Sequence, residues 1–97
     1  MTKLFLPLSA IPSQQSQVVL DGQQVRSWLR QLATGLYIDL TVNGALMLAG
    51  CLCVDRVDLL RGRIPALTGL LYFRDTQGRK DPDYTGLKNR FQFIYEV

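Results

Sequence analysis

Leu36-Tyr37-Ile38-Asp39-Leu40-Thr41-Val42-Asn43-Gly44-Ala45-Leu46-Met47-Leu48-Ala49-Gly50-Cys51-Leu52-Cys53-Val54 is the stretch that decides the fold of this 97-residue chain. In its first half Leu36, Ile38, Leu40 and Val42 alternate with Tyr37, Asp39, Thr41 and Asn43, a period of two that gives an extended strand two distinct faces. Asn43-Gly44 then tolerates the positive φ of tight hairpin turns, whose twist matches that of paired strands. Ala45 to Val54 is apolar throughout, which predicts a strand covered on both faces at the centre of the fold. Gly50 inside it predicts a bulge or a close backbone approach.

Upstream, Gln17-Val18-Val19-Leu20 and the residues after Asp21-Gly22 form a second predicted hairpin. Here two patterns compete, because Val25, Trp28, Leu29 and Leu32 also fall at i, i+3, i+4 and i+7, one face of a helix from Gln23 to Leu32. The strand is favoured, since Asp-Gly followed by a strand completes a hairpin. Ser9 to Gln17 has the most flexible-looking composition. Downstream, Gly69 to Arg74 reads as a strand closed by the turn Asp75-Thr76-Gln77-Gly78, and polar loop chemistry runs from Arg79 through Gly86. The last segment places Phe91, Phe93, Tyr95 and Val97 on one face and Gln92, Ile94 and Glu96 on the other, a half-buried terminal strand. The connection from Asp55 to Thr68, with Leu59-Leu60 and Pro65, is long for a small domain, and long loops are often used for contact. The expectation is one all-β domain over residues 1–97, a small antiparallel barrel or sandwich of about six to seven short strands.

With 47% hydrophobic and 20% charged residues the chain can build a core, so disorder is excluded as its ground state. The core is thin at this length, and neighbouring subunits are the expected source of added stability. Cys51 and Cys53 are too close in sequence to staple distant segments, so no disulfide framework is expected. The net charge of +3 comes from arginines and aspartates interspersed along the chain, the pattern of an ordinary solvated surface rather than a nucleic-acid-binding cluster. The opening residues lack the apolar region and cleavage site of a secretory signal, and no run approaches the ~20 apolar residues of a membrane span. Synthesis in a cytoplasm without membrane insertion is expected.

The chain contains no histidine, which removes the side chain best suited to proton transfer near neutral pH and the commonest metal ligand. No serine or cysteine has a base at a recognisable spacing, and no phosphate-cradling glycine loop occurs. Cys51 and Cys53 make at most half a zinc site and are read as buried free thiols. Asp75, Asp81 and Asp83 lack the ligand order of a calcium loop, and Asp81-Pro82-Asp83 reads as a rigid turn. Lys88 and Arg90 ahead of Phe91, Phe93 and Tyr95 imitate the basic, aromatic face on which small barrels stack single-stranded nucleic acid, with core packing the simpler account of the aromatics. No catalytic, cofactor or metal site is expected, and the chain is read as a non-enzyme.

Taken in order, Leu20-Asp21-Gly22-Gln23, Thr34 through Leu40 with Asn43-Gly44, Gly50 with Cys53, Asp58-Leu59-Leu60-Arg61, Gly69 through Phe73, Asp75 through Gly78, Asp81 through Leu87 and Phe93-Ile94-Tyr95 form a pattern that covers nearly the whole chain. It resembles the baseplate plug family of contractile-tailed phages and prophages. Leu36 and Trp28 depart from that pattern. The resemblance points to a strand over 23–32 and implies a virion structural component that contacts other baseplate or tail hub proteins, or further copies of itself, with no catalytic residues to carry over. The expected contact residues are Trp28, Leu59, Leu60, Arg61, Arg63, Asp81, Asp83 and Tyr84. The alternative from another class is a small barrel that binds single-stranded nucleic acid.

Overall fold

The computed structural model describes residues 3–97. Its strands are β1 (Lys3–Leu6), β2 (Ser13–Leu20), β3 (Gln23–Leu32), β4 (Gly35–Val42), β5 (Ala45–Leu52), β6 (Leu70–Asp75) and β7 (Phe91–Glu96), with one 3-10 turn at Tyr84–Gly86. They form two antiparallel sheets, one ordered β1-β7-β6 and the other β2-β3-β4-β5. The sheets do not close into a barrel, so of the two expected architectures the molecule is the sandwich.

The four-stranded sheet is a meander of successive hairpins. Asp21 and Gly22 take φ of 51° and 73°, and Asn43 and Gly44 take 51° and 85°, the double positive φ that a two-residue hairpin turn needs. The turn at Asp21-Gly22 decides between strand and helix for 23–32. Residues 23–32 pair with β2 on one side and β4 on the other. Val25, Ser27 and Leu29 then point into the core, and Arg26 and Trp28 point out.

Three expectations are corrected. Ser9 to Gln17 is not simply a flexible stretch, because Ser13 to Gln17 lie in β2 and pair residue by residue with Arg30 to Arg26. A polar strand is held there by its backbone ladder while its glutamines face water. The apolar strand β5 is not a covered centre but the edge of its sheet, and among residues 45–49 only Leu48 is buried. Nothing among the described residues pairs with its outer side, and its register against β4 shifts twice. Gly50 takes φ 60° beside one of these irregularities, as a bulge glycine does. β7 is the terminal strand expected, with Phe91, Phe93 and Tyr95 buried, but it is the middle of its sheet and not half-exposed, because Ile94 on the opposite face lies between Phe5 and Tyr72 and is also fully buried.

The core fills the space between the sheets. Val25, Leu29, Leu36, Ile38, Leu40 and Val42 from one side meet Leu71, Phe73, Phe91, Phe93 and Tyr95 from the other. Phe73 and Phe93 stack with ring centroids 4.4 Å apart and planes 6° from parallel. The connection 55–68 contributes to this core. Leu59, Leu60, Ile64 and Leu67 are all buried, so Leu59 and Leu60 are core residues and not the contact residues expected of them. The Asp58 carboxylate fixes the connection by accepting from the N–H groups of Leu60, Arg61 and Leu71 at 2.9 to 3.0 Å. The same segment covers the open side of β6, with Arg56 N–H donating to Phe73 O and Leu59 N–H to Leu71 O, each at 2.7 Å.

A polar tie joins the sheets at one end. The Tyr95 hydroxyl donates to Asp21, whose carboxylate also accepts from Thr68 N–H and Oγ1 at 3.2 Å. Gly69 N–H donates to the Tyr95 hydroxyl at 3.1 Å. The bonds from Tyr95 and Thr68 hold the Asp21 carboxyl below the usual carboxylate range. Burial, then the bond to Asp21, pushes the Tyr95 hydroxyl up.

Candidate functional site

The polar loop after β6 is built around Asp75. Its fully buried carboxylate accepts a bidentate pair from Arg90 Nε and Nη2, both at 2.8 Å, and bonds from Gln77 N–H at 2.8 Å and Lys80 N–H at 2.9 Å. Arg90 first, and then the backbone donors, hold this carboxyl well below its ordinary range. The Asp75 oxygens are therefore committed to the loop itself. Asp83 caps the 3-10 turn by accepting from Thr85 N–H at 3.0 Å, and Asp81 accepts from Asp55 N–H at 3.0 Å. Asp83 thus bonds within its own turn, as read from Asp81-Pro82-Asp83, whereas Asp81 reaches a distant connection instead. Among the described residues, no three acidic or thiol groups converge as a metal site.

Asp81 links its loop to the 55–68 connection, and Arg56 Nη1 adds a second link to Gly78 O at 3.1 Å. Tyr84 N–H donates to Gln31 Oε1 at 3.1 Å, which fastens the same loop to β3. Asp81, Asp83 and Tyr84 thus sit on one braced loop. Arg61 and Arg63 are exposed on the other connection, where Arg63 Nη2 donates to Leu59 O at 2.6 Å and lies 3.7 Å from Cys51 Sγ. Both cysteines are free; Cys53 is buried, whereas Cys51 is partly exposed. Burial, reinforced by Cys51, pushes the Cys53 thiol strongly up and keeps it protonated.

Trp28 belongs to a different surface, the outer face of the four-stranded sheet. Two cross-strand rows run across it, Gln17, Arg26, Thr41 and Leu46 in one, and Ser13, Arg30, Tyr37 and Leu52 in the next but one. Trp28 stands in the row between them, opposite Gln15 and Asp39. Its Nε1 donates to Ser13 Oγ at 3.1 Å, and the Arg30 guanidinium carbon lies 4.6 Å from its ring centroid. Arg30 Nη2 in turn meets Asp39 Oδ1 at 2.6 Å, and that oxygen also accepts from Gly50 N–H at 2.7 Å. The indole is therefore held in place by the fold itself. Exposed apolar side chains stand in the neighbouring rows on β5: Leu46 is 61% exposed, and Leu52 is also open.

Of the residues on this face, the sequence reading singled out Trp28 but not Arg26, Leu46 or Leu52. The signal was the strict alternation of 36–42, which had already assigned Thr41 to the solvent face and hence its hairpin partner Leu46 with it. The basic and aromatic row at the C-terminus is not a base-stacking platform, because Phe91, Phe93 and Tyr95 face the core and Arg90 is occupied by Asp75. No helix among the described residues is long and apolar enough to cross a membrane.

No curated protein matches the chain. The family model described as cyanophage baseplate Pam3 plug gp18 matches residues 1–97. The match spans the whole of this sequence, and on it the chain belongs to that family of phage baseplate plugs.

Proposed function

We propose that the chain is a structural subunit of a contractile phage tail baseplate that works through protein–protein contacts. On this reading it is made in the host cytoplasm, enters the virion with the baseplate, and performs no catalysis. It contacts other baseplate or tail hub proteins and further copies of itself. The observation that carries the proposal is the family match over residues 1–97. The braced loops support it, because 55–68 and 76–87 are tied to each other by Asp55–Asp81 and Arg56–Gly78 and so present a fixed surface. Docking of such a surface on neighbours stabilises a small fold, since whatever binds only the folded chain shifts its folding equilibrium.

The test is incorporation. Arg61→Glu together with Arg79→Glu reverses two exposed charges on these loops without touching the core. The double variant is expected to fold normally and to be depleted from purified particles when its copies are counted by quantitative mass spectrometry. Incorporation at the level of the unaltered chain refutes the assignment of these loops as contact surfaces.

A further inference from the structure

The outer face of the four-stranded sheet carries one cation that the fold does not use. Arg26 is exposed on β3 and makes no hydrogen bond or ion pair with any described residue, whereas Arg30 beside it is neutralised by Asp39. Shallow depressions lie on both sides of Arg26. One is bordered by Gln17, Gln24 and Thr41, and the other by Gln15, Trp28, Asp39, Thr41 and Leu46. A free guanidinium therefore borders the same depression as an immobilised indole and an exposed leucine. Trp and Arg dominate the energetics of protein interfaces, and a side chain already held in its bound geometry loses little entropy on docking.

We propose that this face docks a segment of another protein whose carboxylate pairs with Arg26 and whose neighbouring apolar side chains cover Trp28 and Leu46. The charge complementarity is local. Arg26 lacks an acid, and the other flanking groups are neutral glutamines, a threonine and apolar residues, so an incoming carboxylate meets only Asp39, which Arg30 already holds. Nucleic acid fits less well, because binding a phosphate backbone takes several free cations in a row and this face offers one. The inference rests on the reading that the chain acts through protein contacts, but it concerns a surface separate from the braced loops.

The test uses the full chain, isotope-labelled for NMR, titrated with a capped pentapeptide alternating leucine and glutamate. Shift changes are expected at Gln15, Arg26, Thr41, Leu46 and the Trp28 indole. The lysine version of the peptide is expected to bind at least about tenfold more weakly. Arg26→Glu should invert that preference, and Trp28→Ala should weaken both peptides; the backbone spectrum of each variant reports whether it still folds. Absence of shifts at this face, or indifference to the charge exchange, overturns the proposal. So does a change of the same resonances with protein concentration alone, which assigns the face to a second copy, or a stronger response to an eight-nucleotide thymidine strand. Failure here with depletion of the loop double variant from particles removes this inference and leaves the proposed function standing.

Discussion

Replacing Phe93 by alanine probes the interior where the two sheets are joined. Phe93 is 1% exposed on the central strand β7, between Leu6 of β1 and Phe73 of β6, and its ring lies 4.4 Å from that of Phe73. Truncating a buried phenylalanine costs about 3–5 kcal/mol, the sum of lost transfer free energy and an unfilled cavity. A chain of this length has a total stability of about 5–15 kcal/mol. The variant is therefore expected to lose a large part of its stability, with Tm falling by about 4–8 °C for each kcal/mol lost. Urea unfolding followed by near-ultraviolet circular dichroism measures this, with the midpoint falling and the slope unchanged. Phe93→Leu keeps most of the volume and removes the stacking. In a double-mutant cycle with Phe73→Leu, the stacking should appear as a coupling of about 0.5–1.5 kcal/mol. A loss below about 1 kcal/mol for Phe93→Ala, against the core range given above, would refute the placement of this ring in the core.

Tyr95→Phe keeps the ring but removes the hydroxyl's bond to Asp21 and the acceptor of the half-buried Gly69 N–H, so a loss of about 1–3 kcal/mol is expected in the same urea titration. Asp75 has a lowered pKa in the folded chain, so its contribution is present above its unfolded pKa and is lost as pH falls through the folded value. Stability should decline on acidification below about pH 4, and Asp75→Asn should be less stable at pH 7 and show a flatter acid limb in melts from pH 2 to 7. Tyr72 and Tyr95 have raised pKa values, Tyr72 through burial and then Glu96. Their contribution is complete below about pH 10 and fades as pH rises further, which alkaline melts monitored at the tyrosinate absorbance will report. A Cβ on Gly69 would sit 2.5 Å from Glu96 O and 2.9 Å from the Tyr95 ring, so Gly69→Ala is expected to cost about 1–3 kcal/mol by calorimetry.

The four-stranded sheet was legible wherever alternation coincided with a turn that demands positive φ. Leu36 to Val42 is the clearest case, and Asp21-Gly22 settled residues 23–32 despite their helical spacing. Ala45 to Leu52 misled because hydrophobicity records what a side chain prefers, not whether a neighbour covers it. Bulges and an edge position left those residues open. Leu59 and Leu60 misled in the opposite direction, since a long connection was read as surface when Asp58 folds it inward. The Arg90–Asp75 pair joins residues on either side of a loop and depends on the β6–β7 register, which no local pattern encodes. Trp28 was singled out as an anchor, but the unpaired Arg26 beside it became visible only when cross-strand neighbours were known.

The pairing of Lys3 to Leu6 with Glu96 to Phe93 carries a temporal consequence. During translation the meander from Ser13 to Leu52 can zip up hairpin by hairpin as it leaves the ribosome, each closure spanning a short loop. The three-stranded sheet has no such freedom: its middle strand is the last to be synthesised, and β1 must wait beside an unfinished interior until that strand emerges. Late closure of this kind leaves Leu6 and the inward face of the meander wet until β7 emerges, and makes the sheet depend on a pairing between the strands farthest apart along the chain.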